Sequence, residues 1–226
     1  MTTLTTVVGA SAVTALAAAL GALVVRARST WPARLGWANA VASGLMLGVS
    51  YVLAEQGLQW PALATAVGAV VGILLVASLH QTFGAQDLER NLVAEQAPGY
   101  TTKIVLGTSL HAAAEGIALG VAMALHLRLG VFMAVALAVH KVAEGAVLCA
   151  VLGGQGASST RAATVAVVSN LAAVPAAAGA FLLVGGWPVS IPWFVGFAVG
   201  THARRSGDQP GAGGDVLVPE LSMIQA

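Results

Sequence analysis

The chain has 226 residues, of which 58% are hydrophobic and only 8% carry a charged side chain. Soluble domains carry about 25% charged residues, so this composition excludes a water-exposed globular surface. The net charge of +1 gives no electrostatic reason to expect a nucleic-acid partner. The single cysteine, Cys149, excludes a disulfide framework and a cysteine-based zinc site.

Seven apolar segments follow one another along the chain, and we predict that each is a membrane-spanning helix. A helix needs about 20 apolar residues to cross a bilayer core, and it satisfies its backbone polar groups internally. The segments are roughly 5–25, 36–54, 62–83, 103–126, 130–152, 161–185 and 189–203. The predicted fold is an all-α, polytopic transmembrane helical bundle that occupies residues 1–205. The polar, glycine-rich residues 206–226 are predicted to form a disordered cytoplasmic tail.

The distribution of Lys and Arg in the short loops predicts the orientation of the bundle, because cytoplasmic loops carry an excess of these residues. If the N-terminus lies outside, the outer segments contain only Arg128. The inner segments then contain Arg26, Arg28, Arg34, Arg90, Lys103, Arg161, Arg204 and Arg205. We therefore expect an outside N-terminus and a multi-pass protein of the cell (plasma) membrane.

Two acidic residues, Glu115 and Glu144, are predicted to lie deep inside the fourth and fifth spans. Burying an ionised carboxylate in lipid costs at least about 2.5 kcal/mol, so each requires a partner. A histidine precedes each glutamate by four residues, in His111-Ala-Ala-Ala-Glu115 and His140-Lys-Val-Ala-Glu144. Positions i and i+4 share one face of a helix. Imidazole nitrogens and carboxylate oxygens are ligands that zinc, iron and manganese accept.

The helical rise places both pairs near the middle of the membrane. At about 1.5 Å per residue, His111 and Glu115 lie about 12 and about 18 Å from the inner face. His140 and Glu144 lie about 15 and about 21 Å from the outer face. Because the two spans are antiparallel, His111 should lie level with Glu144 and Glu115 level with His140. We predict that the four side chains form one metal site; the alternative is that each pair is only a structural hydrogen bond.

Other polar residues are candidates for lesser roles. Lys141 lies at the depth of the two pairs, so its ammonium is expected to neutralise one of the two glutamates, with a structural ion pair as the alternative. His80 ends the third span and Asn170 interrupts the sixth, and both are weak candidates for a cation pathway. The remaining histidines, His126 and His202, are interpreted as membrane-interface residues.

The two motifs resemble those of the ZIP family of zinc and iron transporters. Ser109-Leu-His-Ala-Ala-Ala-Glu-Gly-Ile-Ala-Leu-Gly120 is similar to the family's fourth-span motif, of the type His-Asn-x-Pro-Glu-Gly. The stretch His140-Lys-Val-Ala-Glu-Gly145 is similar to the fifth-span motif. The likeness extends over spans one to six and weakly into the seventh. It implies a metal site formed by His111, Glu115, His140 and Glu144.

The chain departs from the family pattern in two respects. Ala112, Lys141 and Val174 stand where family members often carry the ligands of a second metal position. The resemblance therefore implies that this position is absent and that the Lys141 amine replaces its ion. Family members usually have eight spans, and an eighth is not among those predicted here. The chain resembles a shortened or diverged bacterial-type member.

The expected function is transport of a divalent transition-metal cation into the cytoplasm, with zinc favoured over iron, manganese and cadmium. The expected partners are this cation and the lipid bilayer, a homodimer is left open, and no permanently bound cofactor is expected. The alternatives are a metal exporter of the cation-diffusion-facilitator type, a membrane protein with haem bound by two histidines, and a transport-inactive homologue. No separate base or nucleophile accompanies the two pairs, so an enzyme is not expected.

Overall fold

The computed structural model describes residues 2–25, 31–83, 100–154 and 156–207. The first helices are α1 (Leu4–Val25), α2 (Trp31–Gly57), α3 (Ala62–Phe83), α4 (Tyr100–Leu125) and α5 (Leu127–Gly154). They are followed by α6 (Ser159–Asn170), α7 (Ala173–Gly186), a short 3₁₀ helix (Pro188–Ser190) and α8 (Ile191–Gly207). No strand occurs within the described ranges, and the prediction of an all-α transmembrane bundle is confirmed.

Five stretches are long and apolar enough to cross a membrane: Leu4–Leu23, Ala62–Phe83, Thr101–Leu125, Leu127–Ala150 and Ser159–Gly186. They coincide with the first, third, fourth, fifth and sixth predicted spans. The second and seventh predicted spans are helical too, as α2 and α8, but are not among these five. With 17 residues, α8 is shorter than the roughly 20 that a bilayer core requires. Seven spans and an outside N-terminus therefore stay predictions, and the predicted tail beyond residue 207 lies outside the described residues.

The sixth predicted span consists of two helices in the structure. α6 ends at Asn170 and α7 begins at Ala173, with a turn between them. The N–H of Leu171 donates to two carbonyls of the preceding turn, so the end of α6 tightens before the chain continues. Pro175 lies in the first turn of α7, where backbone N–H groups have no partner within the helix and the proline ring costs little. A change in helix geometry therefore falls in the middle of this span.

Several helices approach each other backbone to backbone at glycines. A Cβ atom added to Gly116 of α4 would overlap the backbone of Ala173 in α7, and one added to Gly145 of α5 would overlap the backbone of Ala18 in α1. The same close contact joins α3 to α8 at four glycines, namely Gly68, Gly72, Gly196 and Gly200. Small residues allow membrane helices to pack this closely, which matters because lipid provides no hydrophobic driving force for their association.

The described helices pack as two groups. One contains α1, α4, α5, α6 and α7, and the other contains α2, α3 and α8. The groups meet where α2 contacts α5 and where α8 and α3 contact α4. Their shared core is formed by large buried side chains, among them Met46, Leu53, Leu119, Met133 and Leu137. The stretches of α4 and α5 that carry the His–Glu pairs lie in the first group, and neighbouring helices cover them.

Candidate metal centre

α4 and α5 bring the two His–Glu pairs together inside the bundle. The helices are antiparallel neighbours, separated only by His126. Glu115 and His140 are each 3% exposed, whereas His111 and Glu144 are partly buried. Because these side chains are turned towards the protein and away from lipid, polar groups can occupy apolar helices without facing hydrocarbon.

Glu115 lies at the centre of this cluster. Its Oε1 atom is 3.3 Å from Nε2 of His111 and 3.7 Å from Nε2 of His140. One ligand atom from each of these three residues lies within 4.8 Å of the others. Bonds of about 2.0–2.1 Å to a tetrahedral zinc ion place neighbouring ligand atoms about 3.3 Å apart. The two distances from Oε1 of Glu115 are therefore close to those between corners of a four-coordinate site.

Lys141 lies on the other side of the Glu115 carboxylate. Its Nζ atom is 2.5 Å from Oε2 of Glu115 and 2.6 Å from Oε2 of Glu144, and the residue is 2% exposed. A buried ammonium is costly unless it is paired, and here two carboxylates pair with it. The two oxygens of Glu115 consequently have different neighbours, imidazoles at Oε1 and an ammonium at Oε2. Lys141 was expected to neutralise one glutamate; it contacts both.

Glu144 joins the cluster less directly. Its Oε2 atom is 3.8 Å from Nε2 of His140 and accepts a hydrogen bond from Lys141. Its side chain is 15% exposed, compared with 4% for that of Glu115. Within the described residues, the group of three closely spaced ligand atoms does not include it. The four predicted residues thus converge: three of them place possible ligand atoms close together, and Lys141 pairs with the fourth at the edge of the cluster.

A glycine follows each glutamate and brings another helix close to the cluster. Gly116 follows Glu115 and lies against the backbone of α7, and Gly145 follows Glu144 and lies against the backbone of α1. A larger residue at either position would push these helices away. α1 and α7 therefore help to enclose the cluster, and their separation from it depends on the absence of a side chain at two positions.

Asn170 and His80, the two weak pathway candidates, are placed differently by the structure. Asn170 ends α6, is 1% exposed, and donates from Nδ2 to the carbonyl of Ala166 at 2.8 Å. The backbone of His80 belongs to α3, but its side chain lies outside the described residues. Asn170 is thus a buried polar residue, as a residue that interrupts a span would be, and the role of His80 stays a prediction.

The two histidines interpreted as interface residues also differ. His126 is exposed between α4 and α5, as expected. His202 is 2% exposed, and its Nδ1–H donates to the carbonyl of Ala198 at 2.8 Å. The interpretation of His202 as an interface residue is therefore wrong. The physical reason is that α8 packs against α2, α3 and α4, so that His202 is covered by protein.

The chain is similar in sequence to a known protein whose name fits a metal-binding His/Glu cluster. No family model matches the chain. The chain is 28% identical over 177 residues to the "Putative zinc transporter" of Arabidopsis thaliana, a match that covers 75% of the chain and 28% of the relative. The chain therefore spans less than a third of the length of this curated relative. The resemblance to ZIP-type metal transporters that the two motifs indicate is confirmed by this similarity together with the His/Glu cluster.

Proposed function

We propose that the chain transports a divalent transition-metal cation across the membrane, with zinc as the favoured cargo and the cytoplasm of the cell as its destination. The observation that carries this proposal is the close spacing of three largely buried ligand atoms, from His111, Glu115 and His140, between two apolar helices. The similarity to a relative named as a zinc transporter supports the choice of cargo. The resemblance of the motifs to the ZIP family supports the inward direction.

The charges of the cluster suit a divalent cation that must leave again. With neutral imidazoles, the carboxylates of Glu115 and Glu144 and the ammonium of Lys141 leave one net negative charge. A divalent cation reverses this sign, so binding is favourable but is not reinforced by excess negative charge. Three adjacent protein ligands also leave a coordination position open, as at exchangeable zinc sites and unlike closed structural ones. Glu144 is the one predicted ligand that remains, and its Oε2 atom lies 3.8 Å from Nε2 of His140.

The two oxygens of Glu115 allow the cation and Lys141 to be bound at the same time. A cation held by His111, His140 and Oε1 of Glu115 leaves the Lys141 contact at Oε2 in place. When the cation leaves, the ammonium still lies between the two carboxylates and limits their mutual repulsion. Lys141 therefore keeps the site formed without cargo, and its positive charge weakens the binding of a second cation nearby.

The alternative functions fit this geometry less well. A haem held by two histidines needs a flat porphyrin between the imidazoles, but the Glu115 carboxylate lies within 3.7 Å of both. Hydrolysis at a metal ion needs a site open to water and substrate, whereas Glu115, His140 and Lys141 are almost completely buried. We therefore propose a transporter and not an enzyme or an electron carrier.

Zinc uptake into proteoliposomes that contain the purified full chain tests this function. The wild type should accumulate zinc, and His111→Ala and Glu115→Gln should each reduce the initial rate to that of empty vesicles, because each removes one of the three adjacent ligands. His126→Ala is the matched control, since it removes an exposed histidine from the same helix pair, and it should transport normally. Undiminished uptake by both cluster variants would overturn the proposal. Competition by iron, manganese and cadmium would rank the cargo.

A further inference from the structure

Asn170 carries a buried oxygen atom for which the described part of the bundle provides no hydrogen-bond partner. Its Nδ2 donates to the carbonyl of Ala166, but its Oδ1 has no hydrogen-bond partner among the described residues. The residue is 1% exposed, so bulk water does not supply one. Buried polar atoms are nearly always paired, and one that is not points to a bound ion, water or ligand.

The register of the helices places Asn170 level with the His/Glu cluster. Gly116 of α4 lies against Ala173 of α7, and the same parallel register continues one turn further along both helices. Asn170, three residues before Ala173, is therefore level with the position three residues before Gly116. That position falls between His111 and Glu115, so Asn170 lies at their depth in the bundle.

The buried face of α6 packs against the helices that carry the cluster and against α1. Ala162 and Ala166 pack in one apolar group with residues of α1, α4 and α5. Asn170 follows Ala166 by one helical turn and therefore shares its face. We infer from this register that its side chain faces the junction of α1, α4 and α5 one turn beyond the apolar group, at the level of the His–Glu pairs.

We propose that the side-chain oxygen of Asn170 is a further ligand of the transported cation, which gives α6 a direct part in the site. This inference rests on the proposed function. An amide oxygen is neutral, so it adds a ligand without adding the negative charge that would hinder release. It is also a hard oxygen ligand, which suits manganese better than zinc. Asn170 therefore broadens the range of cations that the site accepts.

Titration of purified full chain with zinc and with manganese, each against a competing chelating dye, tests this role. Asn170→Ala should weaken zinc binding by roughly tenfold, within the 10–100-fold range typical of groups that support a metal site. The loss for manganese should be larger, because manganese depends more on oxygen ligands. Asn170→Asp keeps an oxygen but removes the N–H donor to Ala166, and it should bind zinc at least as tightly as the wild type.

Ser169→Ala is the matched control. Ser169 is fully buried beside Asn170, and its hydroxyl donates to the carbonyl of Val165 within the same helix at 2.8 Å; its loss should leave both affinities unchanged. Equal weakening in Asn170→Ala and Asn170→Asp would assign the effect to the lost N–H donor and would overturn the inference. So would zinc binding by Asn170→Ala within twofold of the wild type while Glu115→Gln abolishes it. Normal binding by Glu115→Gln would instead overturn the proposed function itself.

Discussion

The α3–α8 pair and the α4–α7 pair both pack through glycines, but they differ in the residues that lie beside the contact. In both, glycines four residues apart allow the backbones to touch: Gly68 and Gly72 in α3, and Gly116 and Gly120 in α4. The glycines of α3 are flanked by alanine, valine and isoleucine, so their contact with α8 joins two apolar surfaces. In α4, Glu115 immediately precedes Gly116, so the same contact encloses a carboxylate. The contact between α3 and α8 joins apolar helices only, whereas the contact between α4 and α7 lies beside the carboxylate that we propose binds the cation.

The spans also differ in the fraction of each that is buried inside the protein. In the α3 span 22% of the most apolar stretch is buried inside the protein, whereas the value is 50% for the α4 and α5 spans. α3 therefore has much of its surface available to lipid, and apolar side chains suit that position. α4 and α5 are central, which allows two histidines, two glutamates and a lysine to be paired with one another and kept out of hydrocarbon.

The largest change in zinc affinity should come from substitution of Glu115. We expect Glu115→Gln to weaken zinc binding by at least about 100-fold, since loss of a group that merely supports a metal ligand already costs 10–100-fold. Glu144→Gln should cost less, because Glu144 lies at the edge of the cluster. Zinc titration of purified protein measures both, with Glu55→Gln, an exposed acid on α2, as the control. Equal affinities of the wild type and Glu115→Gln would show that the α4–α5 pair is no more than scaffold.

The next effect, of opposite sign, should come from Lys141. Lys141→Met removes a positive charge that lies within 2.6 Å of two carboxylates. We expect zinc to bind roughly tenfold more tightly, a change of about 1.4 kcal/mol. The melting temperature without zinc should fall, because two buried carboxylates lose their partner. Melting curves with and without zinc test both expectations. If zinc raises the melting temperature of Lys141→Met by less than that of the wild type, the proposed role of Lys141 is contradicted.

The smallest change in zinc affinity is expected from the glycines of the two helix pairs. Gly72→Ala and Gly116→Ala each place a Cβ into the backbone of a neighbouring helix, and overpacking of this kind costs about 1–3 kcal/mol. Both variants should melt at lower temperature, but only Gly116→Ala should also weaken zinc binding, by a few-fold, because it moves α7 away from Glu115. Gly179→Ala is the control, since nothing lies within 4 Å of a Cβ added there. Zinc binding weakened equally by Gly72→Ala would remove the distinction between the two pairs.

The sequence predicts the membrane helices and the two His–Glu pairs because both depend on local spacing. Apolar length defines the spans, and four-residue spacing puts each histidine on the same face as its glutamate. Level-matching of antiparallel helices also predicts correctly that Glu115 lies near His140. These features need only the helical rise and period, which do not depend on the rest of the fold.

Features that depend on how helices are rotated and which neighbours they meet could not be predicted in the same way. The sequence does not show that Lys141 reaches both glutamates, or that the two oxygens of Glu115 have different neighbours. It does not show that α8 is covered on the side of His202. Each depends on side-chain rotamers or on contacts between helices distant in sequence, and no periodicity encodes them.

X-ray absorption at the zinc edge, on zinc-loaded purified chain, tests the central claim most directly. We expect a first shell of nitrogen and oxygen atoms at about 2.0–2.1 Å, with the scattering of two imidazoles from His111 and His140. His140→Ala should then show one imidazole, while His126→Ala should still show two. A shell without imidazole, or one that is unchanged in His140→Ala, would contradict a cation held between α4 and α5.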